Sequence, residues 1–312
     1  MPPESGPPCP LTGAPGAELM QAIPAKLLHD MWRWGAGIAP TPLRRDQGRI
    51  GLWRAPSGLA FFHPPVAGDA GFYRAVGRRG RRHAAQAPER RGDFLAGAEL
   101  VAPGDRVLDV GCGAGGFATL LPQARYTGLD PFAPAGPGRL AETAEVHAAR
   151  HPGAYDVVCA FQVLEHAADP LGLARAMARC LRPGGTLVLA MPLWPSPLTA
   201  LPNNLVNLPP HHLSWWNAAS CAALCERLGL QPLRIAPLPA YPAQAVLHWA
   251  ARISPVRTTP GRPVRASWRW HGAALGSHTA ARLLAALFGP PRNSAAADIL
   301  CVATKPPGST RH

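Results

Sequence analysis

Arg106-Val107-Leu108-Asp109-Val110-Gly111-Cys112-Gly113-Ala114-Gly115-Gly116-Phe117 is the stretch on which the fold turns. An apolar run that ends in an acid and passes straight into a glycine cluster reads as a buried strand opening through a tight turn into a helix. Glycine lets backbone approach a ligand closely, and at the end of a parallel strand such a turn lies in the crevice where open α/β sheets bind ligands. The spacing Asp-x-Gly-x-Gly-x-Gly is not that of the hydride-transfer dinucleotide fingerprint. Its acid stands before the first glycine, where it would repel a pyrophosphate and attract an ammonium group.

Downstream, short apolar runs alternate with helical patterns, which argues for a parallel sheet covered on both faces. Tyr126-Thr127-Gly128-Leu129-Asp130 is a second strand ending in an acid. Asp130 lies about 20 residues beyond the glycine turn, the offset at which a carboxylate at the tip of the next strand accepts hydrogen bonds from ribose hydroxyls. Pro131 to Gly138 is rich in Pro and Gly, so the helix after this strand is expected to be shortened or lost, and a third strand is left unplaced. Tyr155 to Phe161 is the next clear strand, followed by Gln162-Val163-Leu164-Glu165-His166, a helix over about 171–181, the turn Arg182-Pro183-Gly184-Gly185 and a strand from Thr186 to Met191. A helix from Cys221 to Leu228 stopped by Gly229, a strand from Gln231 to Pro237 and a last strand from Asp298 to Thr304 complete a seven-stranded, Rossmann-like α/β sheet.

The 312 residues suffice for one large domain with additions. Residues 1–17, Pro/Gly-rich, read as a disordered tail, and 18–98 as an N-terminal cap whose aromatics pack over the site. Residues 99–237 and 297–306 read as the core, and 238–296 as an Arg/Trp-rich insertion that serves as a lid or contact region. A formal net charge of +13 and a pI near 10.5 would attract nucleic acid or anionic lipid. The only lysines are Lys26 and Lys305, however, so the charge reflects an Ala/Gly/Pro/Arg-rich composition and no specific nucleic-acid partner is expected. Peripheral contact of the insertion with a membrane or a lipid-linked substrate is the alternative to a lid. Seven cysteines in mostly apolar runs read as buried free thiols, which excludes a disulfide scaffold. Neither a leader pattern nor a run of membrane-spanning length is visible, so a cytoplasmic location is expected.

With these pieces in place, the chain resembles the class I S-adenosylmethionine-dependent methyltransferases. The resemblance is carried by Val107 to Gly115, Gly128-Leu129-Asp130, Tyr155 to Val158 with Phe161 to His166, and Leu181 to Gly185, in family order over roughly residues 99–236. It implies that the last strand runs antiparallel and that the cofactor is S-adenosyl-L-methionine. Asp109, Gly111, Cys112, Gly113 and Gly115 would hold its methionine part, Asp130 its ribose, and Gln162 would lie beside the methionine or the transferring methyl.

Asn207 to Trp216, with Pro209-Pro210-His211-His212, resembles a segment that lies over the active-site mouth in a small-molecule subgroup of that family. His211 and His212 are therefore the candidate bases, histidine being the side chain best suited to take a proton near neutral pH. The alternative places one histidine at a helix cap and Trp216 in the core. His166 and Trp216 are expected on the substrate side. A Glu-Val-Leu-Glu-His version of the 162–166 segment is associated with a divalent metal in quinone-type relatives. Here Gln162 replaces the first carboxylate, so no metal is expected, with Glu165 read as an acid favouring a helix N-terminus and His166 as orienting the loop. The resemblance implies methyl transfer to a sugar, polyketide or quinone-like hydroxyl, with an RNA methyltransferase or a non-catalytic cofactor-binding protein as the alternatives.

Overall fold

Residues 6–81, 87–256, 261–265 and 268–307 are described in the computed structural model. Along the chain, β1 (Glu18–Pro24), α1 (Ala25–Asp30), β2 (Arg49–Arg54), β3 (Ala60–His63), α2 (Ala70–Arg81) and α3 (Gly92–Ala98) precede the glycine turn. After them come β4 (Arg106–Val110), β5 (Arg125–Leu129), β6 (Arg139–Leu140), α4 (Ala144–Arg150), β7 (Tyr155–Phe161), α5 (Pro170–Cys180) and β8 (Leu181–Pro192). The remainder is β9 (Ser214–Trp215), α6 (Ala218–Leu228), β10 (Gln231–Leu238), α7 (Ala245–Ile253), α8 (Trp268–Phe288) and β11 (Asp298–Thr304).

The larger sheet has seven strands in the order β10-β11-β8-β7-β4-β5-β6. β4 pairs parallel with β5 and β7, and β7 with β8, whereas β11 runs antiparallel to both β8 and β10. Val107, Leu108 and Val110 are buried along β4, as befits a strand covered on both faces. From β4 the chain passes outward to β5 and β6, then returns to β7 on the other side of β4. The crevice at this reversal, beyond the carboxyl ends of the strands, is where doubly wound sheets place their ligands.

Local chemistry explains where the observed elements depart from the expected ones. The glycine turn enters a 3-10 turn, Gly116–Leu120, in place of an α-helix. Pro122 follows, and a residue before proline is disfavoured in the helical region, so Leu121 leaves it with φ −123° and ψ 52°. The third strand is the two-residue β6, and no helix forms between β5 and β6. Pro183-Gly184-Gly185 is absorbed into β8 as an irregularity, with Tyr155 opposite Leu181 and Val157 opposite Thr186.

A second sheet, β1-β2-β3-β9, takes its last strand from the segment after β8. The N-terminal region is thus tied to the Pro-Pro-His-His segment. Trp32 Nε1 donates to Pro209 O (2.8 Å), Gly68 N to Pro210 O (2.8 Å) and Phe62 N to Leu213 O (2.9 Å). Trp32, Phe62, Trp215 and Val264 share one core, so residues from the expected cap, core and insertion pack as one body. Fully burying a side chain of phenylalanine size is worth roughly 2–3 kcal/mol, enough for a few such contacts to hold the segment.

The expected disordered tail is also corrected. Cys9, Leu11 and Ala17 are buried in the main core, and residues 1–5 lie outside the described residues. Prolines lower the chain entropy lost on ordering, so little buried apolar surface is needed. Arg82, Arg257 and the side chains of Arg79, Arg81, Trp268, Arg269 and Trp270 likewise lie outside the described residues. Among the described residues no helix is long and apolar enough to cross a membrane.

Candidate active site

At the end of β4 the backbone turns sharply, with positive φ at Gly111 (76°), Gly113 (54°) and Gly115 (79°). The amides of Gly111 and Cys112 both donate to Leu129 O, at 2.7 and 3.0 Å, which locks the turn to the end of β5. A Cβ at Gly111 would lie 2.5 Å from Val163 Cγ2, whereas one at Gly113 would meet nothing within 4 Å, so Gly113 bares its backbone to open space. Gly115 lies outside the cavity lining. Its requirement is conformational, and the Arg139 side chain closes over it. Arg139 also donates to Gly113 O (3.2 Å). Cys112 turns its thiol back toward Gly113 O, and burial pushes it up to about 12, so it stays protonated.

Two carboxylates flank this turn. Asp109 is buried and accepts from Tyr126 OH at 2.7 Å. Burial pushes its carboxyl up to about 7, against the pull of that hydrogen bond and of Arg91. Asp130 accepts from Gly113 N at 3.0 Å through one oxygen, and from Phe132 N (2.8 Å) and Ala133 N (3.0 Å) through the other. It therefore shapes the turn after β5 and clamps the glycine loop at once.

A cavity of about 910 Å³ runs from Asp109, Gly111 and Gly113 past Gln162 to His212 and Asp298. A second, of about 400 Å³, is bounded by Asp130, Phe132, Glu142 and Tyr73. Gly111, Gln162, His166 and His211 line both, so the two meet at the tip of β7. Gln162 stands at this junction with φ 62°, a conformation uncommon outside glycine, and its amide is held by Ala190 O at 2.8 Å. Tyr73 from α2 stacks on Phe132 with centroids 5.0 Å apart and meets His166 edge-on at 5.8 Å, so the N-terminal region supplies a wall of the site.

His166, on a 3-10 turn after β7, gives its Nδ1–H to His211 O (2.7 Å) and thereby ties that turn to the 207–216 loop. His211 gives its own Nδ1–H to Val206 O (2.9 Å). The three rings of His166, His211 and His212 gather with centroids 4.5–4.8 Å apart. Burial drives His166 down to about 4, His211 to about 3 and His212 well below its usual range, which makes all three weak bases. Glu165, read from the sequence as an acid favouring a helix N-terminus, is fully buried with neither carboxylate oxygen hydrogen-bonded. Trp216 is corrected as well. It is fully buried in the core, with Nε1 donating to Ser214 Oγ (3.0 Å), and does not line the cavity.

Two polar groups in the lining carry no motif. Arg91, before α3, pairs through two nitrogens with the buried Asp93 (3.1 and 2.5 Å) and lines the glycine end of the larger cavity. On the same side, where Tyr241 packs against Gly92, Asp298 opens β11 and accepts from Tyr241 OH (2.6 Å) and Gln244 Nε2 (2.7 Å) through one oxygen. Burial raises its carboxyl to about 6. An acid beside an apolar strand, as at Asp109, was the available signal for Asp298. Nothing local marks Arg91.

A glycine turn between two acids, at the reversal of a seven-stranded sheet whose last strand alone is antiparallel to its neighbours, defines a class I S-adenosylmethionine-dependent methyltransferase. Residues 79–235, about half of the chain, match the model of the methyltransferase domain family, and the chain belongs to it. It is similar to the ubiquinone biosynthesis O-methyltransferase of Sodalis glossinidius (strain morsitans), 44% identical over 97 aligned positions that cover 26% of this chain and 39% of that one. The enzyme of the same name from Xanthomonas campestris pv. campestris (strain B100) is 38% identical over 118 positions, covering 31% and 47%. This chain thus spans less than half the length of these relatives. Among solved structures, the YcgJ protein of Bacillus subtilis superposes with a TM-score of 0.42 at 17% identity, covering 69% of this chain and 99% of that one. That likeness is too distant to bear on function.

Proposed function

We propose that the chain transfers the methyl group of S-adenosylmethionine to an oxygen of a small phenolic, quinone-like acceptor. The observation that carries this reading is one cavity lined by the Asp109–Gly113 turn together with Gln162, the histidines and Asp298. The lining suits a zwitterion at the turn. Asp109 offers a negative charge to the ammonium group, Arg91 a positive one to the carboxylate, and Gly113 an unshielded backbone. Ammonium binding beside Asp109 favours its ionised form, which burial alone disfavours. Asp130 would turn to the ribose hydroxyls, and the smaller cavity between Phe132, Tyr73 and Glu142 suits the adenine.

Bound there, the cofactor supplies an already activated sulfonium methyl, so the protein's task is alignment and proton removal. Gln162 and His166, at the junction of the two cavities, would orient the acceptor oxygen. For the proton we assign Asp298 in place of His211 and His212. A base works best with its pKa near the operating pH, and in the same cavity Asp298 titrates near 6 while both histidines lie far lower. Tyr241 and Gln244 would hold one Asp298 oxygen, and the Gln162 side chain, which also faces this carboxylate, would give way to the acceptor hydroxyl at the other. Quinone-like acceptors are favoured over sugars and polyketides by the names of the two relatives and by Val76, Phe94, Phe161 and Leu247 in the lining.

Calorimetry with S-adenosylmethionine, followed by labelled methyl transfer to a panel of catechols, sugars and polyketide phenols, tests the reading. Heat of binding with label in a catechol product supports it. No heat and no labelled product refutes it, and label in a sugar alone refutes the acceptor class.

A further inference from the structure

Three imidazoles meet at the junction of the two cavities, and their surroundings are those of ligands. The Nδ1 atoms of His166 and His211 each face a backbone carbonyl, at 2.7 and 2.9 Å. A carbonyl only accepts, so each Nδ1 carries the proton and each Nε2 carries the lone pair. Metal-bound histidines are held in this way, the second nitrogen donating to a carbonyl or carboxylate that fixes ring and tautomer. His212 is 4% exposed, and its Nδ1 has no hydrogen-bond partner.

A second observation points to a cation. Glu165 has no exposed surface, and neither of its carboxylate oxygens is hydrogen-bonded. Its Oε1 lies 3.9 Å from both His166 Nε2 and His212 Nε2. A buried carboxylate without donors is costly unless a positive charge stands close by. Arg91 also acts on it but is already paired with Asp93, and within 4.0 Å stand the imidazoles of His166 and His212, which a bound cation would join to the carboxylate.

We propose that His166, His211 and His212 bind one divalent transition-metal ion of the zinc class, with Glu165 behind them and a coordination position open to the larger cavity. One ligand atom from each histidine lies within 4.8 Å of the other two. Around a tetrahedral zinc at about 2.0–2.1 Å, ligand nitrogens stand about 3.4 Å apart, so each ring need draw in by less than about 1 Å. Nitrogen donors select zinc, cobalt, nickel or iron over magnesium and calcium, which take oxygen ligands. Two of the three nitrogens come from the His211-His212 loop, so the site differs from a carboxylate site at the Gln162 position. All three histidines line the larger cavity, so an acceptor oxygen entering there would reach the open position. Only this last point rests on the methyl-transfer reading.

Metal binding is measured directly and without turnover. The full chain, stripped with chelator and dialysed, is titrated with Co2+ and followed by its visible d–d bands, and with Zn2+ by calorimetry. Expected are tetrahedral cobalt bands without intense sulfur-to-cobalt absorption, and one zinc per chain. His211→Ala and His166→Ala, shown to be folded by circular dichroism, should each weaken zinc on the order of 100-fold, and Glu165→Gln by about 10–100-fold. His151→Ala, outside the lining of both cavities, should leave binding unchanged. Absence of both cobalt bands and zinc heat overturns the proposal, as does wild-type affinity in folded His211→Ala. Strong sulfur-to-cobalt absorption would move the ion to a cysteine and overturn it equally. Binding of S-adenosylmethionine is measured separately, so either reading can fail alone.

Discussion

Gly111→Ala isolates the contact on which the turn depends. Gly111 has φ 76°, and its added Cβ would lie 2.5 Å from Val163 Cγ2. The left-handed conformation costs an L-residue about 1–2 kcal/mol. Crowding a methyl into a packed site costs about 1–3 kcal/mol more. The sum, about 2–5 kcal/mol, corresponds at about 2 °C per kcal/mol for a chain of this size to a fall in Tm of about 4–10 °C. The two parts separate because only the second involves Val163. Val163→Ala removes the struck methyl, so the double variant should recover about 1–3 kcal/mol as coupling while the backbone part persists. Thermal melts of the four proteins measure the coupling, and calorimetry with S-adenosylmethionine reports the site, because Val163 adjoins Gln162. A Gly111→Ala protein melting within about 1 °C of wild type, or a coupling near zero, would refute the reasoning.

Three further outcomes follow from the same geometry. As Asp298 loses its proton, log kcat/KM should rise with pH through about 6 and then level, and Asp298→Asn should abolish that limb and lower kcat by about 10²–10⁴-fold; an unchanged profile would return the base to another group. Asp130→Ala deletes the acceptor for Gly113, Phe132 and Ala133 amides as well as the proposed ribose contact, so cofactor affinity by calorimetry should fall by roughly 2–3 kcal/mol, while an equal Kd would remove Asp130 from the site. Arg91→Met strands the fully buried Asp93 and should destabilise the fold by about 3–5 kcal/mol, whereas Arg91→Met with Asp93→Leu should recover most of it; denaturant titration decides, and equal losses would deny the pair.

How much of this was readable beforehand depends on the range of the interactions. β11 runs from Asp298 to Thr304 as its apolar run predicts, and Gly229 ends α6 with φ 64° because only local backbone geometry is involved. The 3-10 turn after the glycines is equally local, because Pro122 disfavours a helical Leu121. The packing of Leu11 against the main core was not readable, because Pro/Gly content reports on chain entropy and says nothing about which partner awaits.

By itself the sequence determined where the residues of the proposed donor half stand. Asp109, the glycines, Asp130 and Gln162 stand at strand ends, and a strand's length and the turn that follows it are set by neighbours in the chain. Tertiary structure alone decided the proposed acceptor half. It brought His211 to His166 across 45 residues, lent Ser214–Trp215 to the N-terminal sheet, and closed one cavity between Arg91 and Asp298. It also reversed the expected chemistry of the histidines. A histidine's basicity is set by burial and by what its ring nitrogens face, and those surroundings come from segments far apart in the chain.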